Sequence, residues 1–327
     1  MRIGLVKPPQ IGSFSRGVGF YTARLYRGLL ELGINVELIG LSYIPTTYAR
    51  FDLVHFTYFD PFFLTLPPFI GKKTIVTIHD MIPLLFPQGF PRGVRGEAKW
   101  QIQKRLVSQV DSIITVSKAS KNDIVDILSY PKSKIFVTYE AASEEFKKIP
   151  GIKKNYSILY VGDVNYNKNI PSLISAFSKL PKQYYLILIG RSFLDNTLVE
   201  TRQIKDQIKK LNLTLRVKFP GFVEPTNLVR FYNQANVYVQ PSLYEGFGLP
   251  VVEAMACGTP VVCGHNSSLP EIGGNAVVYA DIRDPKDIAG KILKADHVPS
   301  EKLMAQSRKF DWHQTASETL SVYKKLI

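Results

Sequence analysis

The stretch Pro241-Ser242-Leu243-Tyr244-Glu245-Gly246-Phe247-Gly248-Leu249-Pro250-Val251-Val252-Glu253-Ala254-Met255-Ala256-Cys257-Gly258-Thr259-Pro260-Val261-Val262 decides how this chain is read. Its two carboxylates, Glu245 and Glu253, lie on either side of a glycine-flanked turn. Pro250 suits the first helical position, where a missing N–H costs nothing. Gly258 and Pro260 then end the helix almost at once. The stretch reads as a strand end, a tight loop, a short helix and a second strand. The loop amides and those of the helix start have no partner inside the helix, so they can seat an anion. Glu245 falls before the helix and Glu253 about one turn inside it, so both can face one cavity. Two acids beside an anion seat suit a ligand carrying hydroxyls and phosphate, which describes a nucleotide-activated sugar. Taken alone, the same pair also reads as surface acids near a helix start, where the dipole favours them.

On both sides of this stretch, strand-like runs alternate with helix-like ones. In the first half the strands are expected at Arg2–Val6, Asn35–Ile39, Leu53–Phe56, Thr74–Ile78, Ser112–Val116 and Lys134–Thr138. They are rich in Val and Ile and apolar on both faces, as buried parallel strands are. Tyr21, Leu25, Leu29 and Leu32 recur at helical spacing, and Gly33 stops that helix. The polar run from Lys147 to Asn155 reads as a linker with a hinge near Pro150-Gly151. A second series follows, with strands expected at Ile158–Val161, Tyr185–Ile189, Val217–Phe219, Val237–Gln240, Val261–Cys263 and Val277–Tyr279. The expectation is an α/β protein of two doubly wound, Rossmann-like parallel-sheet domains, residues 1–150 and 151–311, facing across a cleft. In such sheets ligands bind beyond the carboxyl ends of the strands.

Bulk composition narrows the function. A chain of 327 residues, 45% hydrophobic and 21% charged, can bury a core in each half. Met1–Val6 reads as a strand stopped by Pro8-Pro9 rather than a signal peptide. No apolar run approaches the ~20 residues that span a bilayer. The expected location is cytoplasmic, with peripheral attachment at the inner face of the cell membrane as a variant. Cys257 and Cys263 are too few for a zinc set or a disulfide framework and read as small buried hydrophobes. The net charge is +14, and residues 1–150 carry 19 basic against 12 acidic side chains, the remainder 22 against 15. The excess is spread evenly, without the focused patch that nucleic-acid binding needs. It favours anionic substrates, and an anionic membrane surface is a second candidate contact.

Three further segments end strands and carry chemistry. His79-Asp80 follows Thr74–Ile78; His79 can hydrogen-bond a sugar hydroxyl, or Asp80 can cap the next turn with His79 as its neighbour. Ser15-Arg16-Gly17-Val18-Gly19-Phe20 can cradle phosphate with its amides and Arg16, or be an ordinary glycine-rich loop. A dinucleotide site would need a glycine where Thr22 stands, so a nicotinamide dehydrogenase is disfavoured. In Gly162-Asp163-Val164-Asn165-Tyr166-Asn167-Lys168-Asn169, Gly162 lets a ligand approach the backbone. Lys168 can reach a diphosphate, or face solvent, and Asn169 can cap the following helix. No Asp-x-Asp motif appears near a strand end, so neither a metal nor a cofactor is expected.

Together these segments resemble the glycosyltransferases of family 4, a retaining family with the GT-B fold. The likeness covers nearly the whole chain and is strongest from Glu245 to Val262. Thr77-Ile78-His79-Asp80, Thr115-Val116-Ser117-Lys118, Ser268-Leu269-Pro270-Glu271 and Val161-Gly162 with Lys168-Asn169 share it. The resemblance implies that Glu245 contacts donor-sugar hydroxyls and stabilises charge at the anomeric carbon. It implies that Glu253 binds the ribose and that Gly246, Phe247, Gly248 and Leu249 hold sugar and phosphate through their amides. Lys168 would neutralise the departing diphosphate, and His79 would touch the donor sugar from the other domain. Gly17 and Gly19 would line the phosphate or acceptor side, Arg191 would lie near the base, and the helix at about 312–327 would cross back onto the first domain. Asp163 stands where the family often has arginine, so either Asp163 points away from the phosphate or another cation substitutes, with Arg191 and Arg16 as candidates. The implied function is transfer of a hexose such as mannose or glucose from a nucleoside-diphosphate sugar to a glycan or lipid-linked hydroxyl. A GT-B nucleotide-sugar epimerase and a non-catalytic nucleotide-sugar sensor stay open. The aromatic run Tyr58–Leu64 and the basic segment Met81–Arg105 read as core packing beside a solvated helix face or, if exposed, as acceptor-side candidates for a membrane-bound lipid.

Overall fold

The computed structural model describes residues 1–8, 17–68 and 70–327. Strands form where β-branched and aliphatic runs are bounded by turns: β1 Arg2–Val6, β2 Asn35–Ile39, β3 Leu53–Phe56, β4 Lys73–Thr77, β5 Ser112–Thr115 and β6 Ile135–Val137. They pair in the order β2-β1-β3-β4-β5-β6, and every pairing is parallel. The second set is β7 Ser157–Val161, β8 Tyr185–Ile189, β9 Val217–Gly221, β10 Ala235–Gln240, β11 Val261–Gly264 and β12 Val278–Ala280. Their order is β12-β11-β10-β7-β8-β9, again parallel throughout. The expected strands are all present. Their ends shift by a residue or two, as at Lys134, which lies in a 3₁₀ turn rather than in β6.

Each sheet has its own core. In the first, Val54, Phe56, Val76 and Ile113 meet Tyr48, Phe51, Ile124 and Leu128. In the second, Tyr160, Leu186, Leu188, Val237 and Val239 meet Leu173, Ile174, Phe177 and Phe193. Burying each such aliphatic side chain contributes about 1.5–3 kcal/mol against the entropy of ordering the chain.

The chain divides into one unit of Met1–Glu140 with Asp311–Ile327 and another of Ala141–Phe310. The change of unit therefore falls ahead of the polar run, not at 150. Phe146 explains this: it is buried with its ring edge-on to Tyr232. Asn233 also receives the amide of Ile149 (2.7 Å) and donates to the carbonyl of Lys147 (3.0 Å). In the first unit the C-terminal helix, Trp312–Leu326, lies on the helix Gly17–Glu31, with Trp312 edge-on to Phe20 and Tyr21. Its Tyr323 hydroxyl reaches Nδ1 of the buried His55 at 2.6 Å.

Topology marks one place in the second sheet. From β7 the chain adds strands outward on one side, then returns to add β10 on the other. The carboxyl ends of β7 and β10 thus flank the switch point, where open α/β sheets leave a crevice.

Candidate active site

Two loops meet at that switch point, one leaving β7 and one leaving β10. The first forms a 3₁₀ turn, Tyr166–Lys168, which ends at Asn169 in the left-handed region (φ 53°). Asparagine tolerates that conformation better than most residues. Its side chain then ties the loops together. Nδ2 donates to the carbonyls of Pro241 (3.0 Å) and Ile282 (2.8 Å), while Oδ1 accepts from the Ser172 hydroxyl (2.8 Å). Asn169 stands at the N-cap of the helix Ile170–Phe177, but its side chain accepts no helical amide. The expected cap is instead a loop tie. Asn167 adds two more ties, donating Nδ2 to the Tyr244 carbonyl (3.0 Å) and accepting the Leu243 amide at its own carbonyl (2.7 Å).

These ties bring Lys168 onto Glu245. Nζ lies 2.8 and 2.9 Å from Oε1 and Oε2, and the carboxylate is 6% exposed. Oε1 also accepts Gln240 Nε2 (2.6 Å) and the Ser242 hydroxyl (2.6 Å). The backbone is held as firmly: the Glu245 amide donates to Ser267 Oγ (3.0 Å), and the one proton of Ser268 Oγ is within reach of the carbonyls of Phe247 (2.6 Å) and Glu245 (3.0 Å). A buried charge is tolerable when paired and hydrogen-bonded to this extent.

Gly248 opens the helix Leu249–Ala256 at φ 110°, which a side chain rarely adopts, and a Cβ there would lie 3.0 Å from Leu269. Pro250 is the second helical residue, one later than expected. Phe247 is buried, its ring edge-on to Phe310, so only its backbone can serve a ligand. Gly246 is buried beside it. Within the helix, Glu253 is 7% exposed and its Oε2 accepts the Tyr232 hydroxyl at 2.8 Å. The two acids share a neighbourhood. Tyr238 is held well above the usual phenol range, first by burial and then by the charges of Tyr160, Glu245 and Glu253. Burial, then Glu245, does the same to Tyr160.

The other sequence candidates are placed as follows. Gly162 (φ 152°) presents its carbonyl to Gly190, where an added Cβ would stand 2.1 Å from that oxygen. At Gly162 itself a Cβ would meet the Tyr160 hydroxyl at 2.7 Å. Gly190 is thus required by contact with the end of the neighbouring strand, and Gly162 by its backbone conformation and the Tyr160 ring of its own strand. Asp163 is exposed; its Oδ1 accepts the Ser192 hydroxyl (2.7 Å). Arg191 lies with its guanidinium 4.4 Å from the centre of the Phe222 ring. Gly17 and Gly19 lie in the first turn of the helix Gly17–Glu31, and Arg16 lies outside the described residues. Both cysteines are buried and unpaired with each other, and burial pushes both thiols up.

His79, in the first unit, has both ring nitrogens engaged: Nδ1 with Glu140 Oε1 at 3.1 Å and Nε2 with the Thr57 carbonyl at 3.2 Å. Both partners accept, so the geometry suits the doubly protonated ring. Burial, the largest influence, works against that proton; the Glu140 bond and charge and the Thr57 carbonyl outweigh it and raise the pKa. A sugar hydroxyl could reach a ring nitrogen only by displacing one of these acceptors. Asp80 does cap the next turn, accepting the Ile82 amide at 3.0 Å.

Sequence reasoning missed Gln240, Asn167, Ser267, Tyr232 and Glu140 as members of these clusters. A signal existed for Gln240, a polar residue ending the apolar run Val237-Tyr238-Val239. The distant partners left none.

Two sequence profiles match the chain: "Glycosyltransferase Family 4" over residues 42–145 and "Glycosyl transferases group 1" over residues 142–309. Among curated proteins, O-antigen chain mannosyltransferase B of Escherichia coli is 30% identical over 305 residues, covering 85% of this chain and 77% of the relative. Serotype-specific mannosyltransferase WbdA of E. coli is 28% identical over 276 residues, covering 78% of this chain; the match spans 34% of that longer protein. The structure of Anabaena Alr3699/HepE in complex with UDP-glucose superposes with a TM-score of 0.80, covering all of both chains at 18% identity. Two parallel six-stranded α/β units with such neighbours define a GT-B fold. The chain belongs to the glycosyl transferases group 1 family and is a glycosyltransferase.

Proposed function

We propose that this enzyme transfers a hexose from a nucleoside-diphosphate sugar to a hydroxyl of a glycan or lipid-linked acceptor, with retention at the anomeric carbon. The observation that carries the reading is the Glu245–Lys168 pair at the switch point of the second sheet, held by Gln240 and Ser242. Glu245 offers a fixed carboxylate to sugar hydroxyls and to positive charge developing at the anomeric carbon. Lys168 offers a cation that can turn from the carboxylate to the departing diphosphate. The start of the helix Leu249–Ala256 adds partial positive charge, and Glu253 is assigned to the ribose. Mannose is the first sugar to test, because the mannosyltransferase relatives align over most of the chain.

In this reading the bond from the anomeric carbon to the diphosphate oxygen breaks with its electron pair going to that oxygen. The acceptor oxygen bonds to the same carbon on the same face and passes its proton to the departing phosphate. Positive charge from Lys168 and the helix start does the electrostatic work of a divalent ion.

Thermal-shift screening against a panel including GDP-mannose and UDP-glucose identifies the donor, since binding to the native state raises stability. With that donor, Glu245→Gln is expected to lose about 10²-fold or more in kcat while its unfolding midpoint stays near wild type. Transfer is expected to persist in excess EDTA, and NMR of the product to show the donor's anomeric configuration. Near-normal turnover by the Gln variant overturns the role of Glu245. Donor binding without transfer to any acceptor would favour the sensor reading, and conversion of the donor without acceptor the epimerase.

An exposed patch in the first unit favours a membrane-associated acceptor. Phe63 and Leu64 are exposed, Lys99 stands 5.2 Å from the centre of the Phe63 ring, and the Tyr43 hydroxyl donates to the Leu64 carbonyl. Apolar rings beside basic side chains suit an anionic lipid surface. Sedimentation with anionic vesicles at low salt is the check, and failure to sediment would end this part of the reading.

A further inference from the structure

The contacts on the Glu245 carboxylate are unequal. Oε1 accepts three donors: Lys168 Nζ, Gln240 Nε2 and Ser242 Oγ. Oε2 is met by Lys168 Nζ at 2.9 Å among the described residues. The donors on Oε1 form a directed chain. The Tyr238 hydroxyl has one proton and faces Gln240 Oε1, which can only accept, so it donates there. That bond fixes the amide the other way round, with Nε2 toward Glu245. The two amide hydrogens then go to Ser242 Oγ (2.7 Å) and to Glu245 Oε1 (2.6 Å). Ser242 accepts from Gln240 and so turns its own proton onto Oε1. Tyr238, Gln240 and Ser242 are all buried to within 1% of completely. Water therefore does not compete for these donors, and each proton has one place to go.

We propose that Tyr238, Gln240 and Ser242 are a positioning relay that pins Oε1 of Glu245, so that Oε2 is the oxygen presented to the donor sugar when Lys168 turns to the diphosphate. The proposal rests on the reading of Glu245 given above and adds how its carboxylate is oriented. Without the relay, departure of the ammonium would leave a carboxylate free to rotate about its last bond and short of donors. With it, two neutral hydrogen bonds remain on Oε1 through the whole reaction. The relay also accounts for a polar residue at the end of β10, directly after the run Val237-Tyr238-Val239. A glutamine there has an amide that can accept from behind and donate in front, which neither an aliphatic side chain nor a carboxylate could do.

The test compares Ser242→Ala, which removes one donor to Oε1, with Tyr238→Phe, which removes the far end of the chain without touching the carboxylate. Glu245→Gln serves as reference. Measured are the unfolding midpoint, Kd for the nucleoside diphosphate alone, KM and kcat for the complete donor, and the rate penalty for a series of monodeoxy donor sugars. The expected result is a Kd for the nucleoside diphosphate within about twofold of wild type and a kcat at least tenfold lower in Ser242→Ala, with a smaller loss in Tyr238→Phe. The deoxy-sugar penalty should shrink in both, because the carboxylate no longer discriminates.

Wild-type kcat and an unchanged deoxy penalty in both variants would overturn the relay while leaving Glu245 in place. A parallel fall in nucleoside-diphosphate affinity and unfolding midpoint would reduce the three residues to structural support, which also overturns it. Full turnover by Glu245→Gln would remove the underlying reading, and the relay with it.

Discussion

One hydrogen bond of Glu253 can be removed without changing the shape of the site. Tyr232 is fully buried, and its hydroxyl donates to Glu253 Oε2 at 2.8 Å. Its ring packs against Tyr238 and Phe146, so loss of the hydroxyl leaves the shape unchanged. Tyr232→Phe deprives a buried carboxylate of a donor, which costs about 1–3 kcal/mol of stability. If Glu253 binds the ribose, the variant should also raise KM for the donor with little change in kcat, and narrow the gap between ribose and 2′-deoxyribose nucleotides. Calorimetric titration with both nucleotides checks this. The identity of Glu253 was plain in the sequence; its partner, twenty-one positions earlier in another helix, was not, because nothing in local spacing links a tyrosine to it.

At the scale of elements, the site depends on how closely the ends of β7 and β8 approach. The Gly190 amide bonds the Gly221 carbonyl, the Gly162 amide bonds the Ile189 carbonyl, and the Gly162 carbonyl stands where a Gly190 Cβ would have to go. Gly190→Ala cannot be relieved by turning a side chain, since the obstacle is backbone. It is expected to destabilise by about 1–3 kcal/mol. It should also move the turn that carries Lys168, weakening donor binding as well as the fold. Equilibrium denaturation together with donor KM tests both parts; an unaffected KM would uncouple the strand contact from the site. The strands themselves were legible because their apolar runs are short and bounded. The fit of the β7 end against the β8 end was not, because it depends on glycine contacts between segments nearly thirty residues apart.

For the molecule as a whole, two histidines of the first unit set opposite pH limits on stability. His55 is fully buried, and burial first, then the charge of His79, lowers its pKa from 6.5 to about 3. Below pH 6.5 the unfolded chain takes up a proton there that the folded chain refuses until about pH 3. Stability must therefore fall as pH drops through that window. His79 is raised instead, so its contribution is fully present below 6.5 and is lost as pH rises through its folded value. Denaturation at a series of pH values should show the acid-side slope flattened in His55→Asn and the slope above 6.5 flattened in Glu140→Gln. His55 holds the C-terminal helix through Tyr323, so acid should release that helix first, a change readable by hydrogen exchange. An acid-side slope unchanged in His55→Asn would assign it to other groups.

The sequence by itself determined the class of fold and the identity of the two acids. Alternation of short apolar runs with amphipathic segments admits few solutions other than wound parallel sheets, and Glu245 and Glu253 stand out because glycines and prolines constrain the backbone between them. Only the tertiary structure decided what those acids touch. It turned Asn169 from a helix cap into a tie between loops, put the Phe247 ring into the core, gave both nitrogens of His79 to protein acceptors and gathered Gln240, Ser242 and Lys168 around one carboxylate. The physical reason is range: periodicity and turn chemistry act within a few residues, whereas a buried charge is satisfied by whichever donors the sheet order brings beside it.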